Sequence, residues 1–147
     1  MGLAIDLAIQ GMSSIVVERH KKIQRIPKGQ NLTPRTGEHF RRWGVSDDIR
    51  AASPIPHNYA NGGMASYRTF VSDHFYDWFN RSKIKNYYAA PNERLPQYET
   101  EAVLRERAAA FDEITLLTGW SFDSFSQDDT KVSATITQTH GNESQTL

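Results

Sequence analysis

Short apolar blocks alternate along the chain with glycine, proline and charge, and the spacing within each block separates helices from strands. Leu3, Ile5, Leu7, Ala8 and Ile9 are apolar nearly all round, the pattern of a helix packed on a sheet, and Gly11 suits the left-handed residue that ends it. Ser13 to Arg19 reads as a strand, with Ile15-Val16-Val17 the kind of β-branched run buried on both faces of a parallel sheet. His20 to Gln30 is a basic, polar loop. Thr33-Pro34 then supplies an N-cap and a first-turn proline for a helix from Arg35 to Trp43, which Gly44 closes. A brief helix from Asp47 to Ala52, capped by Ser46, is expected next.

Beyond Ser53 the texture changes. Pro54, Pro56, Asn58, Asn61, Gly62 and Gly63 mark a loop, followed by a strand-like stretch from Met64 to Phe79 rich in aromatics. Helical spacing returns from Tyr98 to Ala110, with Val103, Leu104 and Ala108 as its inner face. Ile114 to Thr118 is a second β-branched run, and Trp120 to Phe125 alternates in part. Asp128-Asp129-Thr130 reads as a turn before Val132, Ala134 and Ile136, which alternate as a half-buried strand. The polar tail after Thr137 is expected to fray. Helices and strands interleave in this order, which is an α/β class.

Composition narrows the function classes. Lys plus Arg and Asp plus Glu both total 17 in 147 residues, so no global field favours nucleic acid or an acidic membrane. The absence of cysteine removes disulfides, thiolate catalysis and Cys-ligated metals, and fits a cytoplasmic location. No apolar run has the length of a membrane span, and Met1 to Gln10 lacks a basic leader and holds Asp6, unlike a secretory signal. His20, His39, His57, His74 and His140 are scattered, without the pairing of a metal site. No G-x-S-x-G elbow or Walker turn is present.

A helix followed by a strand that ends in an acid, Glu18, is the second half of a dinucleotide-binding βαβ unit. The acid there hydrogen-bonds the adenosine ribose. The first strand and its glycine-rich turn are expected just upstream of Met1. Without that strand, backbone and apolar groups beside Ile15 to Val17 are left uncovered, and marginal solubility and weak cofactor retention are expected of the lone chain.

Several segments, in order, resemble the N-terminal part of the FAD-dependent aromatic hydroxylases, the flavoprotein monooxygenases of the p-hydroxybenzoate hydroxylase type. They are Gly2-Leu3-Ala4-Ile5-Asp6-Leu7-Ala8, Ile15-Val16-Val17-Glu18-Arg19, Pro27 to Thr36 with Glu38 to Gly44, and Arg94-Leu95-Pro96-Gln97-Tyr98-Glu99 with Leu104-Arg105. The resemblance implies a partial, three-layer Rossmann-like FAD-binding domain with a piece of a β-rich substrate domain. Residues 1–55 and 93–147 would belong to the first and 56–92 to the second. It also implies FAD as cofactor, NAD(P)H as reductant and hydroxylation of a small aromatic substrate, phenolic or polyketide-like, with O2. The chain is shorter than half a typical member and stops short of the family's downstream Gly-Asp segment. Two alternatives stay open: a truncated remnant or structural partner without catalysis, or another FAD-dependent oxidoreductase of the same fold.

The resemblance assigns four cofactor-binding residues and no catalytic one. Glu18 would accept from both ribose hydroxyls, since a carboxylate offers two acceptor oxygens to a vicinal diol. Its other reading is an ordinary solvated glutamate after a strand. Arg25 and Lys28 would approach the ribityl–pyrophosphate region, with Gly29 allowing close backbone approach, or else form a solvated basic loop with Arg19, Lys21 and Lys22. Many members have Arg at the position of Lys28, and lysine keeps the charge without the bidentate fork. Gln97 would use its amide on the ribityl hydroxyls or pyrophosphate, or else cap its own helix. Arg35, Glu38, Arg41 and Arg42 are expected to pair along a helix surface, and most aromatics from Tyr67 to Phe79 to pack in a core or on a sheet face, with a substrate-lining role as the alternative.

Overall fold

A computed structural model describes residues 1–26, 28–54, 56, 64–77 and 85–147. Asn58, Asn61, Gly62 and Gly63 of the expected loop, and Trp78 and Phe79 of the aromatic stretch, lie outside them. The chain forms two compact units, one of Met1–Ile26 with Leu104–Leu147 and one of Pro27–Val103. The class is α/β.

The first unit is built on two parallel strands, β1 (Ser14–Glu18) and β6 (Ile114–Thr118), in register from Ser14 opposite Ile114 to Glu18 opposite Thr118. Helix α1 (Gly2–Ile9) packs on β1 and buries Ala4, Ile5 and Ala8. It stops where Gly11 turns to φ 74, with the N–H groups of Gly11 and Met12 returning to the carbonyls of Ala8 and Leu7. The all-round apolar pattern overstates this helix's burial: Leu3 is 73% exposed. Ile15, expected to be buried on both sides, is half exposed. Among the described residues β1 and β6 form a sheet of two strands, which covers one face of a helix and leaves a face of its own open.

An antiparallel sheet of β7 (Trp120–Gln127), β8 (Val132–Gln138) and β9 (Ser144–Thr146) completes this unit. The register slips between Phe122 and Ser124, so one residue, Asp123, is extra on β7. Phe122 and Phe125 thereby share a face with Ile136 and Ala134, their cross-strand partners. Ile136 is fully buried. Val132, expected to be half-buried, is mostly exposed at the strand's start. The tail is not frayed. Ser144–Thr146 pairs with β8, and Leu147 and Ala134 exchange backbone hydrogen bonds at 2.8 and 3.0 Å, so polar side chains here mark a strand whose backbone is satisfied by its neighbour.

In the second unit α2 (Pro34–Trp43) follows its sequence signals closely. Thr33 Oγ1 accepts the N–H of Thr36, Pro34 occupies the first turn, and Gly44 closes the helix at φ 73. Helix α3 (Ser46–Ala51) differs in one respect: Ser46 lies inside it, and Val45 stands at the cap position without a side-chain bond. Phe40, Val45 and Ile49 bury the facing sides of the two helices. Glu38 was expected to pair along the helix. Its Oε1 instead accepts the N–H of Ala89 at 2.8 Å, where Gly37 lets the chain pass so close that a Cβ would sit 2.6 Å from that of Ala90. Strands β3 (Met64–Ser66) and β4 (Phe75–Asp77) make a short hairpin. Tyr67 and Phe70 stand on its turn with their rings in solvent, contrary to the expected packing, because turn residues lack a sheet face to pack on. Tyr67 meets His74 edge to face, with ring centroids 6.4 Å apart.

Candidate cofactor site

Parallel strands bring their carboxyl ends to one edge, and in open α/β sheets that edge is where ligands bind. Glu18 is the last residue of β1 and lies opposite Thr118, the last residue of β6. Its carboxylate is half-buried, and Oε1 accepts the backbone N–H of His20 at 2.7 Å, a tight turn made by the strand's own continuation. Oε2 keeps its acceptor capacity, so the group fits a vicinal diol that needs acceptors and brings its own donors. The main chain is anchored here as well. Gly119 N–H donates to the Glu18 carbonyl at 2.7 Å, and Thr139 Oγ1 donates to the Arg19 carbonyl at 2.9 Å. Arg19 Nε donates to His20 Nε2 at 3.1 Å, and the stem of Lys21 lies over Gly119. Arg25, in the same unit, is exposed on the loop after these residues.

The second unit holds the other two assigned residues. Strand β2 (Asn31–Leu32) pairs antiparallel with β5 (Glu93–Arg94), and two further backbone bonds extend the ladder: Leu95 N–H to the Gln30 carbonyl and Gln97 N–H to the Gly29 carbonyl, both 2.9 Å. Gln97 begins helix α4 (Gln97–Ala109) and is exposed. The chain at Lys28-Gly29 is therefore held against the start of α4, which brings Lys28 and Gln97 into one neighbourhood. An open cleft of about 350 Å3 runs here, lined by Gly29, Gln30, Leu32, Leu95, Gln97 and Thr100. Leu95 forms its buried floor, and among the described residues beyond its chain neighbours none lies within 4 Å of a Cβ added to Gly29. The mix of an apolar floor, an amide and open backbone suits a polar chain.

In the second unit the backbone ladder brings Lys28 and Gln97 near one another; in the first, Glu18 is set by its turn and Arg25 is exposed on the loop that follows. Sequence reasoning missed Gly119 and Thr139, which hold the Glu18 turn. Thr139 lay in a tail expected to fray, and no local signal ties residue 139 to residue 19, which are 120 positions apart.

A family model described as an FAD binding domain matches residues 1–147. The chain belongs to this FAD binding domain family. Of the curated relatives, the 3-(3-hydroxy-phenyl)propionate/3-hydroxycinnamic acid hydroxylase of Comamonas testosteroni is 27% identical over 143 residues, which is 95% of this chain and 22% of that protein. The aklavinone 12-hydroxylase of Streptomyces peucetius is 40% identical over 55 residues, covering 37% of this chain and 11% of that protein. Among solved structures, the flavin-dependent monooxygenase PieE, in complex with FAD and substrate, has a TM-score of 0.82 and 25% identity over 99% of this chain and 26% of that one. The rebeccamycin biosynthetic enzyme RebC with reduced flavin has a TM-score of 0.75 and 28% identity, over 99% and 28%. This FAD binding domain chain spans about a quarter of the length of such relatives. Among its described residues no helix is long and apolar enough to cross a membrane.

Proposed function

We infer that this chain provides FAD contacts in a monooxygenase that hydroxylates an aromatic substrate, phenolic or polyketide-like, with NAD(P)H and O2. The observation that carries the reading is the Glu18 carboxylate, steadied by the His20 N–H at the shared carboxyl edge of two parallel strands, in a chain matched over its whole length by the FAD binding domain family. The names of the relatives support the substrate class: one acts on a hydroxyphenylpropionate, another on aklavinone. In this reading residues 1–55 and 93–147 serve the flavin, and 56–92 are a piece of the substrate domain.

Bound FAD would supply the redox and oxygen-transfer chemistry, while the protein binds and orients. Glu18 would accept from the adenosine ribose hydroxyls. Lys28 and Arg25 would offset pyrophosphate charge, each as a single positive centre on a mobile stem or fork. Gln97 would donate to and accept from the ribityl hydroxyls with one amide, and the bare backbone at Gly29 would let the cofactor lie close. A cytoplasmic setting goes with a nicotinamide reductant.

Flavin fluorescence during titration of FAD with the chain tests this. The expected result is weak but saturable binding that ADP displaces and riboflavin displaces poorly, since the strand-edge contacts address the adenosine half. Absence of saturable binding, or equal displacement by riboflavin, contradicts the reading.

A further inference from the structure

The turn that carries Glu18 is held by residues far along the chain. Gly119 N–H donates to the Glu18 carbonyl at 2.7 Å, Thr139 N–H donates to the Gly119 carbonyl at 2.8 Å, and Thr139 Oγ1 donates to the Arg19 carbonyl at 2.9 Å. Three consecutive residues are thereby tied: Glu18 and Arg19 by their carbonyls, and His20 by its N–H on Glu18 Oε1. Gly119 stands at φ 82, a conformation that favours glycine, and a Cβ there would lie 2.7 Å from the flexible stem of Lys21, so the β6–β7 turn passes close to the segment after Glu18.

The peptide linking Arg19 to His20 bears both the carbonyl that Thr139 holds and the N–H that the Glu18 carboxylate accepts. A peptide unit is planar, so fixing its oxygen fixes the direction of its N–H. The geometry points to Thr139 as a positioning residue for the Glu18 carboxylate, an inference that rests on the ribose-binding reading above. Its hydroxyl sets the Arg19–His20 peptide, the peptide N–H holds Oε1, and the carboxylate is pre-oriented before a diol arrives. Pre-orientation of this kind raises affinity by lowering the ordering cost of binding. Thr139 acts in this role only through the peptide it holds.

Calorimetric titration with ADP and with 2′,3′-dideoxy-ADP separates this role from a purely structural one, because only ADP carries the diol. The wild-type chain is expected to prefer ADP. Thr139→Val, which keeps the shape and loses the donor, is expected to reduce that preference about fivefold, the effect of one hydrogen bond. Thr139→Ser should restore it, and in a Glu18→Gln background Thr139→Val should change the preference no further. A Thr139→Val chain that keeps the full preference, or that loses affinity equally for both nucleotides, overturns the positioning role. So does loss of the folded circular-dichroism signal in both Thr139→Val and Thr139→Ala, which would make the hydroxyl a requirement of the fold. A wild-type chain without preference for ADP removes the ribose reading itself and the inference with it, a result distinct from failure of Thr139 alone.

Discussion

Gln97 donates its backbone N–H to the carbonyl of Gly29 at 2.9 Å, so a helix start and a glycine nearly seventy residues earlier share one edge of an open cleft. The bond uses only main chain and leaves the Gln97 side chain exposed. Gln97→Ala is therefore expected to leave the melting temperature near that of the wild type while weakening FAD binding about threefold to tenfold, the range for loss of one or two hydrogen bonds. Parallel thermal melts and flavin titrations check both halves.

Gly29→Ala separates open space from ligand space. Among the described residues beyond its chain neighbours none lies within 4 Å of the added methyl, so stability should hold or rise by about 0.4–1 kcal/mol through a less flexible unfolded chain. If a cofactor lies on that backbone, the methyl occupies its place and affinity should fall severalfold. Unchanged affinity would mean the cofactor passes elsewhere.

Gly37→Ala should do the reverse. Its methyl would stand 2.6 Å from the Ala90 Cβ, and the α2 backbone and the Ala89–Ala90 chain must part. Overpacking of this kind costs about 1–3 kcal/mol, read as a lower denaturation midpoint.

The turn at Asp128 gives a pH dependence. The side-chain hydroxyl of Thr130, then the N–H groups of Thr130 and Lys131, bond to the Asp128 carboxylate and hold its pKa below the ordinary 3.8. A carboxyl with a lowered folded pKa stabilises above its unfolded value, and that contribution is lost as pH falls through the lower folded value. The protection of the Thr130 and Lys131 amides, taken relative to their intrinsic exchange rates, should hold above pH 3.8 and fall once the solution is acid enough to protonate Asp128. Asp128→Ala should show the low protection at every pH.

Much of this was legible in the sequence where a signal is local. Thr33, Pro34 and Gly44 bound α2 because a cap, a fixed φ and a left-handed residue act within a few positions. Glu18 could be read as a strand end from the run before it. What could not be read is what depends on distant partners. Ser144–Thr146 forms a strand because β8 offers an edge, although its side chains are polar. Ile15 is exposed because burial depends on how many strands cover it, which a β-branched run does not encode. For the candidate site, the helix–strand pattern pointed to Glu18 and the family resemblance to Gln97, but the clamp from Gly119 and Thr139 arises only when the chain closes on itself.

The central claim is that the Glu18 carboxylate receives the ribose of FAD, and Glu18→Gln tests it most directly. Glutamine keeps the length and one carbonyl acceptor, and removes the charge and the second acceptor oxygen. Hydrogen bonds to a charged group contribute about 1.5–3 kcal/mol, so FAD titrations should show affinity falling about tenfold or more with an unchanged melting temperature. An affinity for FAD equal to that of the wild type would contradict the account.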